Sequence, residues 1–157
     1  MEEFNTIEKV IELFNKVGCF GYNNCYIYVT TNYQTMKSGY NAGAEEGMKA
    51  ARENRGWEGY LINATETGLG IVPLKNSKPL LFIKPENMSV HLEAYSFFNY
   101  NDIESIKVKR LNFFSTTAKD VRIRLKNGIE YKLIAKNKEK LIPYHADNFE
   151  KFVKKFK

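Results

Sequence analysis

Apolar and polar residues alternate through most of the chain between positions 57 and 136. Successive side chains of a β-strand point to opposite faces of a sheet, so this alternation predicts strands with one buried face. Turn-forming residues divide the region into seven predicted strands, at 57–64, 69–74, 79–84, 88–97, 103–110, 119–126 and 129–136. The pattern therefore predicts a mainly β protein with antiparallel neighbours.

The connection between the last two strands is specific enough to predict a register. A two-residue Asn-Gly turn would place the apolar Leu125 opposite the charged Glu130. A three-residue loop, residues 126–128 with Gly128 in the left-handed conformation, instead pairs Leu125 with Ile129 and keeps one face apolar. We therefore predict the three-residue hairpin.

Two segments repeat apolar residues at helical spacing. In residues 4–17 acidic side chains come early and Lys16 comes late, which suits the helix dipole, and Gly18 can end the helix. The second segment follows the last predicted strand. No predicted element comes after it to cover its apolar stripe, so we expect the stripe to be buried against the sheet. The stripe consists of Phe149, Phe152, Val153 and Phe156.

The first 55 residues also contain a predicted short strand, 25–31, and a Gly- and Ala-rich segment, 36–54. Gly39, Gly43 and Gly47 would share one face of a helix and permit a close helix–helix contact. A frayed helix or a linker is the alternative, because each interior Gly costs about 1 kcal/mol of helix stability relative to Ala. We divide the chain into an N-terminal extension, 1–55, and a β domain, 56–157.

Seven antiparallel strands and one C-terminal helix resemble the pleckstrin-homology-like (PH-like) fold, in particular small bacterial PH-like domains. The segments that carry the likeness are residues 59–74, 98–109, 119–135 and 144–152. The resemblance implies a split barrel capped by the C-terminal helix, and a binding or assembly role rather than catalysis. Relatives that bind phosphoinositides use basic residues around the first loop. Here that loop is Thr65-Glu66-Thr67-Gly68, so we do not transfer their lipid site.

Composition narrows the classes of function. The chain has 157 residues, 43% of them hydrophobic, and a net charge of +6, which favours contact with an anionic partner. The excess of Lys, Asn and Ile is equally typical of an AT-rich bacterial genome. The acidic N-terminus does not resemble a secretory signal, and no apolar run reaches the roughly 18 residues that a membrane span needs. These features predict a cytoplasmic bacterial protein.

Few residues have the spacing that catalysis or metal binding requires. Cys19 and Cys25 match no zinc or redox motif, and neither His91 nor His145 has a cysteine nearby in sequence. No nucleophile elbow, phosphate loop or dinucleotide-binding motif occurs. A set of catalytic residues that meet only in space stays open. We expect no metal, no cofactor and no enzymatic activity.

A basic surface is the best candidate for a binding site. Its predicted members are Lys107, Lys109, Arg122, Arg124 and Lys132, which fall on one face if the last three strands are neighbours, together with Phe113 and Phe114 in the adjacent turn. Only Glu130, opposite Arg124, is predicted to offset these charges. Charged strand faces also serve merely to prevent aggregation. The two rings could enter a membrane or a partner's groove, or fold back over the barrel.

We therefore expect a non-catalytic binding or assembly module. The first alternative is peripheral attachment to the anionic inner face of the cell membrane through the basic face. A small enzyme or a nucleic-acid binder is the second alternative. Nucleic-acid binding ranks low because base stacking needs exposed rings, whereas most rings here occupy predicted core positions. If the chain binds itself, the N-terminal extension is the expected contact, because its amphipathic helix has an apolar stripe to cover.

Overall fold

The computed structural model describes residues 3–32, 56–77, 84–114 and 116–156. These residues form a mainly β protein with two α-helices. The helices are α1 (Ile7–Lys16) and α2 (His145–Phe156). The strands are β1 (Cys25–Thr31), β2 (Gly59–Ala64), β3 (Gly68–Asn76), β4 (Met88–Val90), β5 (Ser96–Asn99), β6 (Ile103–Arg110), β7 (Ala118–Leu125) and β8 (Glu130–Lys136).

All eight strands of the described residues belong to one antiparallel sheet, in the order β4-β3-β2-β1-β8-β7-β6. β5 also pairs with β3, beyond the end of β4. β1 pairs with β2 along residues 25–30, but it pairs with β8 only at Thr30 and Thr31. The strand assigned by sequence to the N-terminal extension thus lies between β2 and β8 in the sheet.

The predicted strand at 88–97 is interrupted in the structure. A 3-10 turn, Leu92–Ala94, separates β4 from β5, and each of the two short strands pairs with a different part of β3. The prediction of one continuous strand was therefore wrong, because alternation of side chains does not reveal a change of pairing partner. Most of the predicted strand 79–84 and the Gly- and Ala-rich segment 36–54 lie outside the described residues.

The predicted β7–β8 hairpin is confirmed. The N–H of Leu125 donates to the carbonyl of Ile129 at 2.8 Å, and Gly128 has φ +95°. The register continues with Ile123 opposite Tyr131 and Val121 opposite Leu133. The three-residue loop therefore places the apolar side chains of both strands on one face.

The two faces of the sheet carry separate apolar clusters. The inner cluster lies between the sheet and α2, and the outer cluster lies between β1–β3 and α1. The inner cluster includes Ile27, Val29, Ile62, Ile71, Val121, Ile123, Leu133, Phe149 and Phe152. The outer cluster includes Phe4, Val10, Leu13, Phe14, Tyr26, Tyr28, Leu61, Val72 and Leu74. Both faces of β1 are therefore buried.

Helix α2 covers the inner face as predicted, but its stripe is not uniformly buried. Phe149 and Phe152 are buried, whereas Val153 and Phe156 are only partly covered. Phe156 packs at the margin, with its ring centre 4.7 Å from that of Phe152 and 5.9 Å from that of Tyr100. The end of the helix therefore reaches the edge of the inner cluster.

Helix α1 begins after Thr6, whose hydroxyl accepts a hydrogen bond from the N–H of Lys9, and it is followed by Gly18 at φ +75°. Its stripe is covered within the same chain, since Val10, Leu13 and Phe14 all belong to the outer cluster. The expectation of self-association through the extension stays a prediction, but this helix does not offer an uncovered stripe for it.

Candidate functional site: a basic sheet face and an aromatic hairpin tip

The five predicted cations lie on neighbouring strands. β7 pairs with β6 on one side and β8 on the other, which places Lys107 opposite Arg122 and Arg122 opposite Lys132. These side chains alternate with the buried Val121 and Ile123, so they occupy the face of the sheet away from the inner cluster. Sequence alternation therefore located them correctly on one face.

The charge of this face is smaller than the sequence analysis expected. The Arg122 guanidinium lies 3.0 Å from Asp120 and 3.9 Å from Glu130. Arg124 lies 2.7 Å from Glu104 and 3.7 Å from Glu130. The expectation that Glu130 alone offsets the cations was wrong, because Asp120 and Glu104 share the same face.

Asp120 is a built-in part of this network. Its side chain is 7% exposed, one oxygen accepts from the Arg122 Nε–H, and the other accepts from the Asn32 amide at 3.2 Å. Both arginines are therefore held by carboxylates. In the part of the chain that the structure describes, no ion pair includes Lys107, Lys109 or Lys132.

Phe113 and Phe114 form an exposed pair at the β6–β7 hairpin, which we call the aromatic tip. Their side chains are 83% and 87% exposed, and the rings meet edge to face with centres 5.2 Å apart. The Asn112 side chain accepts a hydrogen bond from the N–H of Phe114 at 3.0 Å, which orders the turn. Of the arrangements left open by sequence, the rings project outward rather than fold back over the sheet.

Four basic residues lie at the strand ends next to the aromatic tip, two on each face of the sheet, and we call them the tip cations: Lys109, Arg110, Lys119 and Lys136. Arg110 lies directly opposite Lys119, and Lys136 lies opposite Ala118 at the next position. Like charges placed opposite each other are destabilising. Among the described residues none of the four forms an ion pair. Of these four residues only Lys109 was a predicted site residue, although Arg110 and Lys119 flank the same turn.

A cavity of about 550 Å³ opens on the inner side of the sheet, away from α2. Its aromatic lining comes from Trp57, Tyr60, Tyr95, Phe98 and Tyr131. The Tyr60 and Tyr131 rings meet at a right angle with centres 5.4 Å apart. Rings such as Phe98 and Tyr131 occupy core positions in the predicted strands, and an open, ring-lined space was not predicted.

The histidines occupy very different surroundings. His145 is completely buried, and its ring bonds two backbone groups of other elements. His91 packs against Trp57, which lines the cavity, and its Nε2 lies 3.2 Å from the hydroxyl of Ser89 and its Nδ1 2.8 Å from the carboxylate of Glu93. The three residues alternate in the sequence, a signal that was available but was interpreted only as strand periodicity.

Both cysteines are free and buried. Burial raises the pKa of Cys25 to about 11, so its thiol is protonated at neutral pH. Among the described residues no three His, Cys, Asp or Glu side chains are grouped to hold a metal ion. In the same residues no helix has both the length and the hydropathy to cross a membrane.

Comparison of the chain with protein-family models, with curated proteins and with solved structures found no match.

Proposed function

We propose that this protein is a binding module that attaches peripherally to an anionic membrane surface through the aromatic tip and the tip cations. The observation that carries the proposal is the exposure of Phe113 and Phe114, at 83% and 87%, beside four basic residues that form no ion pair within the described chain.

The two parts of the surface would act together. Burying a Phe side chain is worth roughly 1.5–3 kcal/mol relative to leaving it in water. An anionic leaflet attracts a nearby Lys or Arg by about 1 kcal/mol each. Two rings and four cations therefore combine a hydrophobic and an electrostatic signal, and stable attachment generally requires two signals.

The remainder of the basic face would contribute attraction at longer range. Arg122 and Arg124 are engaged by carboxylates, so they are poorly placed to bind lipid phosphates. Lys107 and Lys132 lie further from the tip along the same strands. They would strengthen binding at low ionic strength and contribute less where salt screens them.

The loop that corresponds to the lipid site of PH-like relatives has an internal role here. The carbonyl of Thr65 accepts hydrogen bonds from the Tyr100 hydroxyl at 2.5 Å and from the Lys155 ammonium at 2.7 Å. The loop between β2 and β3 is thus bonded to other elements of the chain. This arrangement supports membrane contact through the opposite end of the sheet.

A relationship to the PH-like fold, with its split barrel, belongs to the same proposal. Its support is that β2–β8 are seven antiparallel strands and that α2 follows them and covers their inner face. The feature outside that pattern is β1, which lies between β2 and β8.

Co-sedimentation with vesicles tests the membrane proposal. We expect the full chain to bind vesicles of phosphatidylcholine with phosphatidylglycerol, to bind pure phosphatidylcholine weakly, and to dissociate as salt is raised. The double variant Phe113→Ser/Phe114→Ser should bind at least tenfold more weakly, since about 1.4 kcal/mol corresponds to tenfold. Lys119→Glu should weaken binding to the anionic vesicles selectively.

Phe20→Ser is the matched control, because Phe20 is 67% exposed but lies before β1, far from the tip in sequence and on another element. It should bind like the parent chain. Equal binding by the parent and the double variant would contradict the proposal, and so would equal binding to neutral and anionic vesicles.

A further inference from the structure

Ser89, His91 and Glu93 form a hydrogen-bonded chain beside the ring-lined cavity. The Ser89 hydroxyl contacts His91 Nε2 and the Glu93 carboxylate contacts Nδ1, at 3.2 and 2.8 Å. The His91 ring packs on Trp57 with centres 5.1 Å apart, and both Trp57 and Glu93 line the cavity. A hydroxyl, an imidazole and a carboxylate thus follow one another in the order that nucleophilic catalysis requires.

We propose that Ser89 is a nucleophile, with His91 as its general base and Glu93 as the carboxylate that orients the base, for hydrolysis of esters whose acyl group occupies the cavity. The aromatic lining favours an apolar or aromatic acyl group. This activity goes beyond membrane attachment and departs from the expectation of a non-catalytic module.

The local fold explains why the three side chains meet. Residues 89 and 91 share one face of an extended segment, because side chains two positions apart point the same way. The 3-10 turn Leu92–Ala94 follows at once and brings Glu93 back towards the His91 ring. β4 pairs with β3 through residues 88–90, and Ser89 and His91 both stay partly exposed.

The hydrogen bonds accommodate both protonation states of the base. In neutral His91, Nδ1–H donates to Glu93 and Nε2 can accept from the Ser89 hydroxyl. In protonated His91, Nε2–H donates to Ser89, whose hydroxyl can then turn to the carbonyl of Lys75 at 3.1 Å. The hydrogen bond from His91 lowers the pKa of Glu93, so its carboxylate is charged at neutral pH.

The reaction proceeds by acyl transfer without redox change. Ser89 Oγ bonds to the ester carbonyl carbon while its proton passes to His91 Nε2. The bond from carbon to the leaving alcohol then breaks, and His91 returns the proton to the alcohol oxygen. Water attacks the acyl–Ser89 ester with the same base, which releases the carboxylic acid and regenerates the hydroxyl.

Lys75 supplies the positive charge that the transition state needs. It lies directly opposite Ser89 in the β3–β4 pairing, so both side chains project from the same face. The Lys75 ammonium lies 5.9 Å from the centre of the Trp57 ring, and the same Trp57 ring packs against His91. A cation at this position would stabilise the oxyanion that forms on the carbonyl oxygen.

Covalent labelling of the full chain tests the proposal independently of membrane binding. The oxygen of an activated serine displaces fluoride from the phosphorus of a fluorophosphonate. Mass spectrometry then locates the resulting phosphonyl adduct in the chain. We expect one adduct on Ser89 near pH 8, absent in Ser89→Ala and formed about 100-fold more slowly in His91→Gln. Glu93→Gln should slow labelling as well, and hydrolysis of p-nitrophenyl benzoate should follow the same order.

Ser96→Ala is the matched control, because Ser96 is a serine that lines the cavity and takes no part in the hydrogen-bonded chain. It should be labelled at Ser89 like the parent, and so should the aromatic-tip variant Phe113→Ser/Phe114→Ser. Thermal melts establish that each variant is folded. Absence of an adduct on Ser89 in the folded parent would overturn the proposal, as would an unchanged labelling rate in folded His91→Gln.

Discussion

Nδ1 of His145 accepts a hydrogen bond from the backbone N–H of Tyr28 at 3.1 Å, although the two residues are 117 positions apart. Nε2 of the same ring therefore carries the proton and donates to the carbonyl of Lys136 at 2.6 Å. One turn later, the Asn148 side chain accepts from the N–H of Tyr26 at 3.0 Å. Helix α2 thus accepts the hydrogen bonds of two β1 N–H groups at positions where β1 no longer pairs with β8.

This arrangement makes stability depend on pH through His145. Burial lowers the pKa of its imidazole, so the folded chain takes up that proton less readily than the unfolded chain. The contribution of neutral His145 to the free energy of unfolding is therefore fully present above the pKa of the unfolded chain, about 6.5. It is lost as the pH falls below that value. For one proton the loss approaches about 1.4 kcal/mol per pH unit.

Urea denaturation at pH 7.5 and pH 5.5 measures this term. We expect the parent to lose more stability at the lower pH than His145→Gln, which lacks the titrating group. The two chains differ only at residue 145, so a difference in their pH dependence belongs to His145. An equal pH dependence in the two chains would show that His145 does not carry the effect.

The uneven burial of α2 predicts a graded response to truncation of its side chains. Phe152→Ala should lower the free energy of unfolding by about 3–5 kcal/mol, because the side chain is completely buried in the inner cluster. Phe156→Ala should cost clearly less, since that ring is partly exposed at the margin. Chemical denaturation gives both values, and equal losses would contradict the burial pattern.

Ending the chain after Asp147 removes Phe149 and Phe152 together, along with Asn148 and its bond to β1. The combined loss of two buried rings, roughly 6–10 kcal/mol, is comparable to the whole stability of a typical domain, about 5–15 kcal/mol. We expect no cooperative melting transition. A truncated chain that melts near the parent's temperature would contradict this account of α2.

The place of β1 in the sheet gives an expectation for the fragment 56–157. Without β1, the edge of β2 loses partners over six residue pairs, and the two sheet halves lose the strand that joins them. We expect the fragment to be unfolded or aggregated by circular dichroism and light scattering. Addition of residues 1–32 as a separate peptide is the control, and it should restore structure. A folded, monomeric fragment would support a boundary at residue 56 instead.

Two glycines should respond differently to substitution by alanine. At Gly68 a Cβ would lie 2.2 Å from the carbonyl oxygen of Phe98, so Gly68→Ala would force β3 and β5 apart. At Gly128 the space is open, and only the positive φ opposes a side chain, at a cost of about 1–2 kcal/mol. Thermal melts should rank Gly68→Ala as the more destabilised. Gly128→Asn should be milder than Gly128→Ala, because Asn tolerates positive φ better.

Several features of the fold followed from neighbouring residues alone. The hairpin at residues 126–128 was predictable because one register alone kept Leu125 and Ile129 on an apolar face, and Gly128 could adopt the required φ. The helix that carries Phe149 and Phe152 was predictable from helical spacing, and the shared face of Lys107 and Arg122 from alternation. Alternation and helical spacing are properties of consecutive residues, and they survive into the folded chain.

Parts of the candidate sites could have been found by sequence but were not. Asp120 is two positions from Arg122, and Glu93 is two positions from His91. Side chains two positions apart on a strand share a face, so the sequence could have predicted both pairs. The bond from Glu93 also depends on the 3-10 turn at 92–94, which the alternation of residues 88–97 concealed. Alternation along a strand shows which side chains share a face, whereas the turn determines which of them are in contact.

Within the described residues, the sequence by itself determined most of the segments that are strands and helices, the faces they bury, and the positions where cations and rings accumulate. Only the tertiary structure decided that β1 lies between β2 and β8, that α1 covers the outer face, and that His145 completes the edge of β1. Periodicity records the solvent exposure of each residue in its own element. The choice of neighbour depends on contacts between residues 29 to 39 positions apart for β1 with β2, and more than a hundred apart for β1 with β8 and α2. Burial and hydrogen bonding at such separations are decided by the whole chain at once.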